Sequence, residues 1–193
     1  MGISFINQTD MAYRNKVIRN PKTGQEITFL HTAKDTKGQF LGMIATFQPQ
    51  SQPEQRYYLP KQTLDLDVLS GELTVLLDGQ ARQLKAGEKL FIEANQPHAL
   101  WNRSTQLTTI NCRVRPALNT EYLLETVAAL AGVEMISHKP IPRMLQTALT
   151  ANCFSNVFRL TRWPFVCQKL VFTLLTPVAY LAGFKPTYKE YID

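Results

Sequence analysis

The chain has 193 residues, enough for one domain with a real core or one domain plus an appendage, and with 45% apolar and 19% charged residues it is globular rather than disordered. The formal net charge is +6; it would suit anionic ligands or anionic lipid, but with no run of five like charges and no nucleic-acid motif it reads as a soluble basic protein with no nucleic-acid partner. Cys112, Cys153 and Cys167 are odd in number and lack CxxC spacing, which argues against a disulfide framework or zinc cluster and for reduced thiols in a cytoplasm; the opening MGISFINQTDMAYRNK lacks the basic-then-apolar order of a secretory leader.

In chain order, residues 1–20 are polar with little strand signal and read as an N-terminal arm. Strands are predicted over Glu26–Leu30 and Phe40–Phe47, followed by a loop over Gln48–Gln55. Leu64, Leu66 and Val68 alternate with Asp65 and Asp67, the period of a half-buried strand. Further strands follow at Leu73–Leu77, Gln80–Leu84, Lys89–Ile92, His98–Trp101 and Leu107–Val114, with turns at Ser70-Gly71, Asp78-Gly79 and Ala86-Gly87. Strands this dense indicate a sandwich or barrel rather than alternating strands and helices. From 117 the pattern becomes helical. One helix is predicted from a cap at Thr120 to Leu130, stopping near Gly132; others run over Arg143–Leu160 and Pro164–Leu181, ending at Gly183. The fold class is therefore α+β, mainly β, divided as 1–20, 21–116 and 117–193.

Ser51, Tyr57, Leu59, Leu64 (or Thr63) and Gly71 follow the spacing Gly, five residues, His-x-His, three or four residues, Glu, six residues, Gly. Gly87, Glu93, Asn95, His98 and Asn102 follow the spacing Gly, five residues, Pro-x-Gly, two residues, His, three residues, Asn. With Val68-Leu69-Ser70-Gly71-Glu72-Leu73 and Asp78-Gly79, the stretch 20–116 resembles the cupin superfamily, and Asn20-Pro21-Lys22-Thr23-Gly24 resembles single-domain cupins with a helical tail. The resemblance implies a jelly-roll β-barrel followed by C-terminal α-helices, and association as a homodimer.

The resemblance also implies a metal held by three His and one carboxylate, a set suited to iron or manganese. Here those slots hold Tyr57, Leu59, Leu64 and His98. Barrel geometry points Tyr57, Leu59 and Leu64 inward, where leucine offers no lone pair and neutral tyrosine is a poor ligand. His98 is left as the sole candidate ligand, so no metal cofactor is expected. Glu54, Gln62 and Glu93 are the nearest groups from which a ligand set could be rebuilt, and no spacing requires it. His98 reads as a ligand anchor or a relic rather than a catalyst, with Tyr57 and Trp101 as pocket walls. The leading expectation is a metal-free module binding a small hydrophobic molecule through Tyr57, Leu59, Leu64, His98 and Trp101. The alternatives are a metal-dependent dioxygenase or isomerase, or a structural or peripheral membrane module acting through its C-terminal helices.

Residues 165–184 form the most apolar stretch and are long enough nominally to span a bilayer. Lys169 and Gln168 interrupt the stretch, Pro177 would kink it, and Lys169, Thr173, Thr176 and Tyr180 share one face. Docking on the barrel or a second subunit is expected first. Contact with anionic lipid through Arg159, Arg162, Lys169, Lys185 and Lys189 is the alternative.

Overall fold

The computed structural model describes residues 12–53, 55–136, 140–161 and 165–181. Ten strands come first: β1 (Val17–Arg19), β2 (Glu26–His31), β3 (Leu41–Phe47), β4 (Tyr57–Tyr58), β5 (Thr63–Ser70), β6 (Glu72–Leu77), β7 (Gln80–Lys85), β8 (Lys89–Ile92), β9 (His98–Trp101) and β10 (Thr108–Arg115). Then come α1 (Thr120–Ile136), α2 (Pro140–Cys153), β11 (Arg159–Leu160) and α3 (Phe165–Leu181). The strands pair into two antiparallel sheets, ordered β1-β2-β3-β10-β5-β8 and β11-β4-β9-β6-β7.

The inner faces of both sheets share one core. Leu64, Leu66 and Val68 of β5 meet Ile110, Cys112 and Val114 of β10, together with Leu73, Val75 and Leu77 of β6. The expected alternation holds on β5, whose Asp65 and Asp67 face outward. There Arg115 Nη1 lies 2.7 Å from Asp65, and Lys89 Nζ lies 3.0 Å from Asp67, directly across the β5–β8 ladder. A one-residue slip would bury these aspartates, so pattern and charge specify the same register. At the β6–β7 hairpin Asp78 and Gly79 both have positive φ (51° and 81°), the primed turn expected from the pair. The outermost strand, β7, is almost wholly exposed and carries Arg82 and Lys85, charges that discourage edge-to-edge pairing.

Several boundaries differ from expectation. Val17–Arg19, inside the predicted arm, is a strand: β1 pairs with β2, and Arg19 forms an ion pair with its cross-strand partner Glu26. Gly132 does not stop α1, which continues to Ile136 because the surrounding positions bury alanines and the glycine itself sits beside Pro21. Asn119, not Thr120, holds the cap position, since its carbonyl accepts the first helical bond from Leu123 N–H. The helix predicted over Arg143–Leu160 begins earlier, at Pro140, and ends at Cys153. Phe154 and Val157 then turn into a small core with Leu123, and Arg159–Leu160 returns to the sheet as β11. The predicted stop at Gly183 lies outside the described residues.

Candidate functional site

The residues proposed as an inner site come from β4 (Tyr57), the loop after it (Leu59), β5 of the other sheet (Leu64) and β9 (His98 and Trp101). β9 brings His98 opposite Tyr57 of β4 on one side and opposite Leu77 of β6 on the other. Leu77 belongs to the shared core, so alternation along β9 turns His98 and Leu100 inward and Ala99 and Trp101 outward. Trp101 is buried but pairs with Thr74 and is absent from the inner cluster. Grouping it with His98 is therefore corrected, because three residues along a strand reverse the face. Leu59 and Leu64 are 7% and 5% exposed and belong to the core, and Tyr57 packs against its edge.

His98 is 1% exposed. Its Nδ1 lies 2.9 Å from the Gln96 carbonyl oxygen. A carbonyl only accepts, so Nδ1 donates, and the neutral ring then carries its lone pair on Nε2. That Nε2 is buried and has no hydrogen-bond partner among the described residues. Burial holds the imidazole below its ordinary pKa; the Gln96 carbonyl acts in the opposite direction with smaller weight. The ring of Tyr57 meets His98 edge-on at 4.5 Å between centroids. Phe158 covers Tyr57 on a second side at 5.0 Å, and β11 is hydrogen-bonded beside β4. The segment after α2 thus closes the sheet next to the imidazole.

This donor set does not fit the metal that the fold family implies. The four ligand positions present one imidazole nitrogen, one phenol and two aliphatic side chains already packed in the core. Among the described residues no cluster of three His, Cys, Asp or Glu side chains is placed to hold an ion. Of the groups considered for a rebuilt set, the two that lie among the described residues, Gln62 and Glu93, are differently placed. Gln62 is buried and its Nε2 donates to the carbonyls of Pro116 and Ala117 and to Thr120 Oγ1, at 2.7, 3.1 and 2.7 Å. Glu93 is exposed, and Glu54 lies outside the described residues.

The other motif positions organise the chain. Asn102 is fully buried; its Nδ2 donates to the carbonyls of Phe47 and Gln106, and its Oδ1 accepts from Ser104 N–H and Oγ–H. The Asn102 backbone N–H donates to Ser51 Oγ at 2.8 Å, so the first residue of one motif meets the last of the other. Gly71 has φ of +76°, and a Cβ there would lie 2.5 Å from the Leu107 carbonyl oxygen.

Sequence reasoning missed a second buried polar cluster. Glu121 and Glu125 lie one turn apart on α1, both buried. Glu121 Oε2 accepts from Ala33 N–H at 2.8 Å, and Glu125 Oε1 lies 3.2 Å from Lys16 Nζ. Burial holds both carboxyls above the ordinary range; Ala33 N–H opposes this at Glu121, as Lys16 does at Glu125. The available signal was that both glutamates share the helix face of Leu124 and Ala128, which pack on the main core. Of the thiols, Cys112 is buried and pushed up to about 12, whereas Cys153 is exposed.

Residues 66–110, from β5 into β10, match the family model for the cupin domain. Similar solved structures include the cupin domain of an XRE-family transcriptional regulator from Enterobacter cloacae, at 20% identity over 47% of this chain and 95% of that one, TM-score 0.42. A protein described as a predicted oxalate decarboxylase from Thermotoga maritima is 16% identical over 55% of this chain and 99% of that one, TM-score 0.48. A polyketide cyclase from Streptomyces resistomycificus is 18% identical over 60% and 80%, TM-score 0.45. No curated protein matches the chain. The cupin-domain match spans the stretch that carries Gly71, His98 and Asn102 in the motif register.

Proposed function

We propose that this cupin domain works without a bound metal and holds a small, mainly apolar molecule whose hydrogen-bond donor meets His98 Nε2. The observation that supports this reading is the buried Nε2, without a partner among the described residues, of a ring whose burial favours its neutral form. An unpaired buried acceptor costs about 1–3 kcal/mol, which a hydroxyl or N–H of a ligand would offset. Tyr57 beside the ring and the inward core residues Leu59, Leu64 and Leu100 offer apolar contact and no charge. A sugar phosphate or dicarboxylate would meet no cation there; a phenol or alcohol would meet one acceptor.

Phenol and benzene, nearly isosteric, are the probes that separate this from simple apolar uptake. Phenol is expected to raise Tm and to shift the 15N resonance of His98 Nε2. Benzene should bind about tenfold or more weakly, the equivalent of one buried hydrogen bond. In His98→Leu the preference should vanish. An unmoved Nε2 resonance at saturating phenol, or an equal preference in His98→Leu, would overturn the reading.

One observation favours a second reading, a filled domain serving as a scaffold for its C-terminal helices. Phe158 lies against Tyr57, and the Thr161 N–H and hydroxyl both donate to the Arg56 carbonyl, at 3.2 and 3.1 Å. If neither probe reaches His98, this scaffold role stands in its place.

A further inference from the structure

The charge of the chain is unevenly placed. Residues 135–189 contain seven Lys or Arg and no Asp or Glu, while the remainder holds fourteen cations against fifteen carboxylates. The stretch that holds α2 and α3 is therefore locally cationic, while the rest of the chain is close to neutral.

That region also exposes an apolar face. α3 packs against α2 through Leu175 and Ala179, which cluster with Leu149, and through Asn152 Nδ2, which donates to Thr176 Oγ1 at 3.2 Å. On the opposite side Leu170, Leu174, Pro177 and Leu181 follow one another at intervals of four, three and four residues, one stripe of a helix. Leu170, Leu174 and Leu181 are 64%, 66% and 90% exposed. Helical surfaces in water do not ordinarily leave three leucines this open in one line, and such patches mark an interaction face. Lys169, also exposed, lies on the neighbouring polar face that it shares with Thr173 and Tyr180.

We propose that this face docks on an anionic lipid surface, with α3 lying in the interfacial plane and Leu170, Leu174 and Leu181 entering the acyl boundary. Charge decides among the occupants of such a stripe. A second copy of the chain would bring two strongly cationic regions together. Nucleic acid would satisfy the cations and leave the leucines in water. Anionic lipid satisfies both at once. No helix among the described residues is long and apolar enough to cross a membrane, so the geometry is docking rather than spanning. This inference is independent of what meets His98.

The test is sedimentation of the full chain with vesicles of phosphatidylcholine alone and of phosphatidylcholine mixed with phosphatidylglycerol. Partition into the mixed vesicles is expected to exceed that into the neutral ones by about tenfold or more, and to fall as salt is raised. Leu170→Ser with Leu174→Ser should lower that partition by about tenfold or more while Tm and circular dichroism stay unchanged, because neither side chain is buried. Equal partition into neutral vesicles, no partition at all, or full binding by the double variant would overturn the proposal. So would light scattering that finds a dimer which the double variant converts to monomer, or tighter binding to duplex DNA than to the mixed vesicles.

Discussion

Gly71→Ala is expected to lower the unfolding free energy by more than about 3 kcal/mol, read as a shifted midpoint in urea, whereas Gly79→Ala costs about 1 kcal/mol. Both glycines have positive φ, +76° and +81°, so both substitutions incur left-handed strain. They differ in what a methyl group would meet. At Gly79 nothing lies within 4 Å; at Gly71 the Leu107 carbonyl oxygen stands at 2.5 Å and the Thr108 Cα at 2.9 Å. Backbone atoms of a central strand cannot yield as a flexible side chain does. Thr108 is also tied to β6, its Oγ1 donating to the Glu72 carbonyl at 2.8 Å and accepting from Glu72 N–H at 3.2 Å. The crossing from β5 to β6 therefore closes on β10 only without a Cβ. Equal costs at the two glycines would contradict this.

Lys16→Met is expected to cost about 3–5 kcal/mol at neutral pH, the usual penalty for leaving one charge of a buried pair alone. Glu125 is fully buried and Lys16 is its only ion-pair partner among the described residues. The further substitution Glu125→Leu should recover most of the loss, because an apolar pair replaces an ionic one. The pH dependence follows from the raised carboxyl. A carboxyl whose native pKa lies above its unfolded value binds its proton more readily in the native state. Its stabilisation is complete below the unfolded value near 4.5 and is lost as pH rises through the raised native value. Removing Lys16 removes the group that opposes the rise, so the stability of Lys16→Met should climb more steeply than wild type as pH falls toward 4.5. Urea unfolding of both proteins across that range is the check, and parallel curves would contradict the assignment. The pair fastens the segment before β1 to α1, and Glu121 on Ala33 N–H holds the chain after β2 to the same helix.

Much of the β architecture was legible because period-two alternation and turn chemistry are local. β5, β8 and β9 could be drawn within a residue or two from Leu64-Asp65-Leu66-Asp67-Val68, Ala86-Gly87 and Gln96-Pro97. What escaped depends on distant partners. β1, β4 and β11 are two or three residues long and acquire strand geometry only from β2, β9 and β4. Phe154 to Leu160 keeps a helix-compatible composition but leaves the helix to pack on Leu123 and Tyr57. Within the site, motif spacing placed His98, Leu59, Leu64 and Tyr57 on the interior, while Trp101 failed on parity alone. The pairing of Lys16 with Glu125 spans more than a hundred residues, and no local pattern could announce it.

The same spacing carries the main consequence for chemistry: among the described residues its four metal-ligand positions hold one imidazole, one phenol and two leucines. Titration of 15N-histidine-labelled full chain with Mn2+, followed through the resonances of His98, tests this most directly. The account predicts no saturable paramagnetic broadening of His98 and no tightly held ion after gel filtration. Broadening that saturates at one Mn2+ per chain, with retained metal lost in His98→Leu, would contradict it.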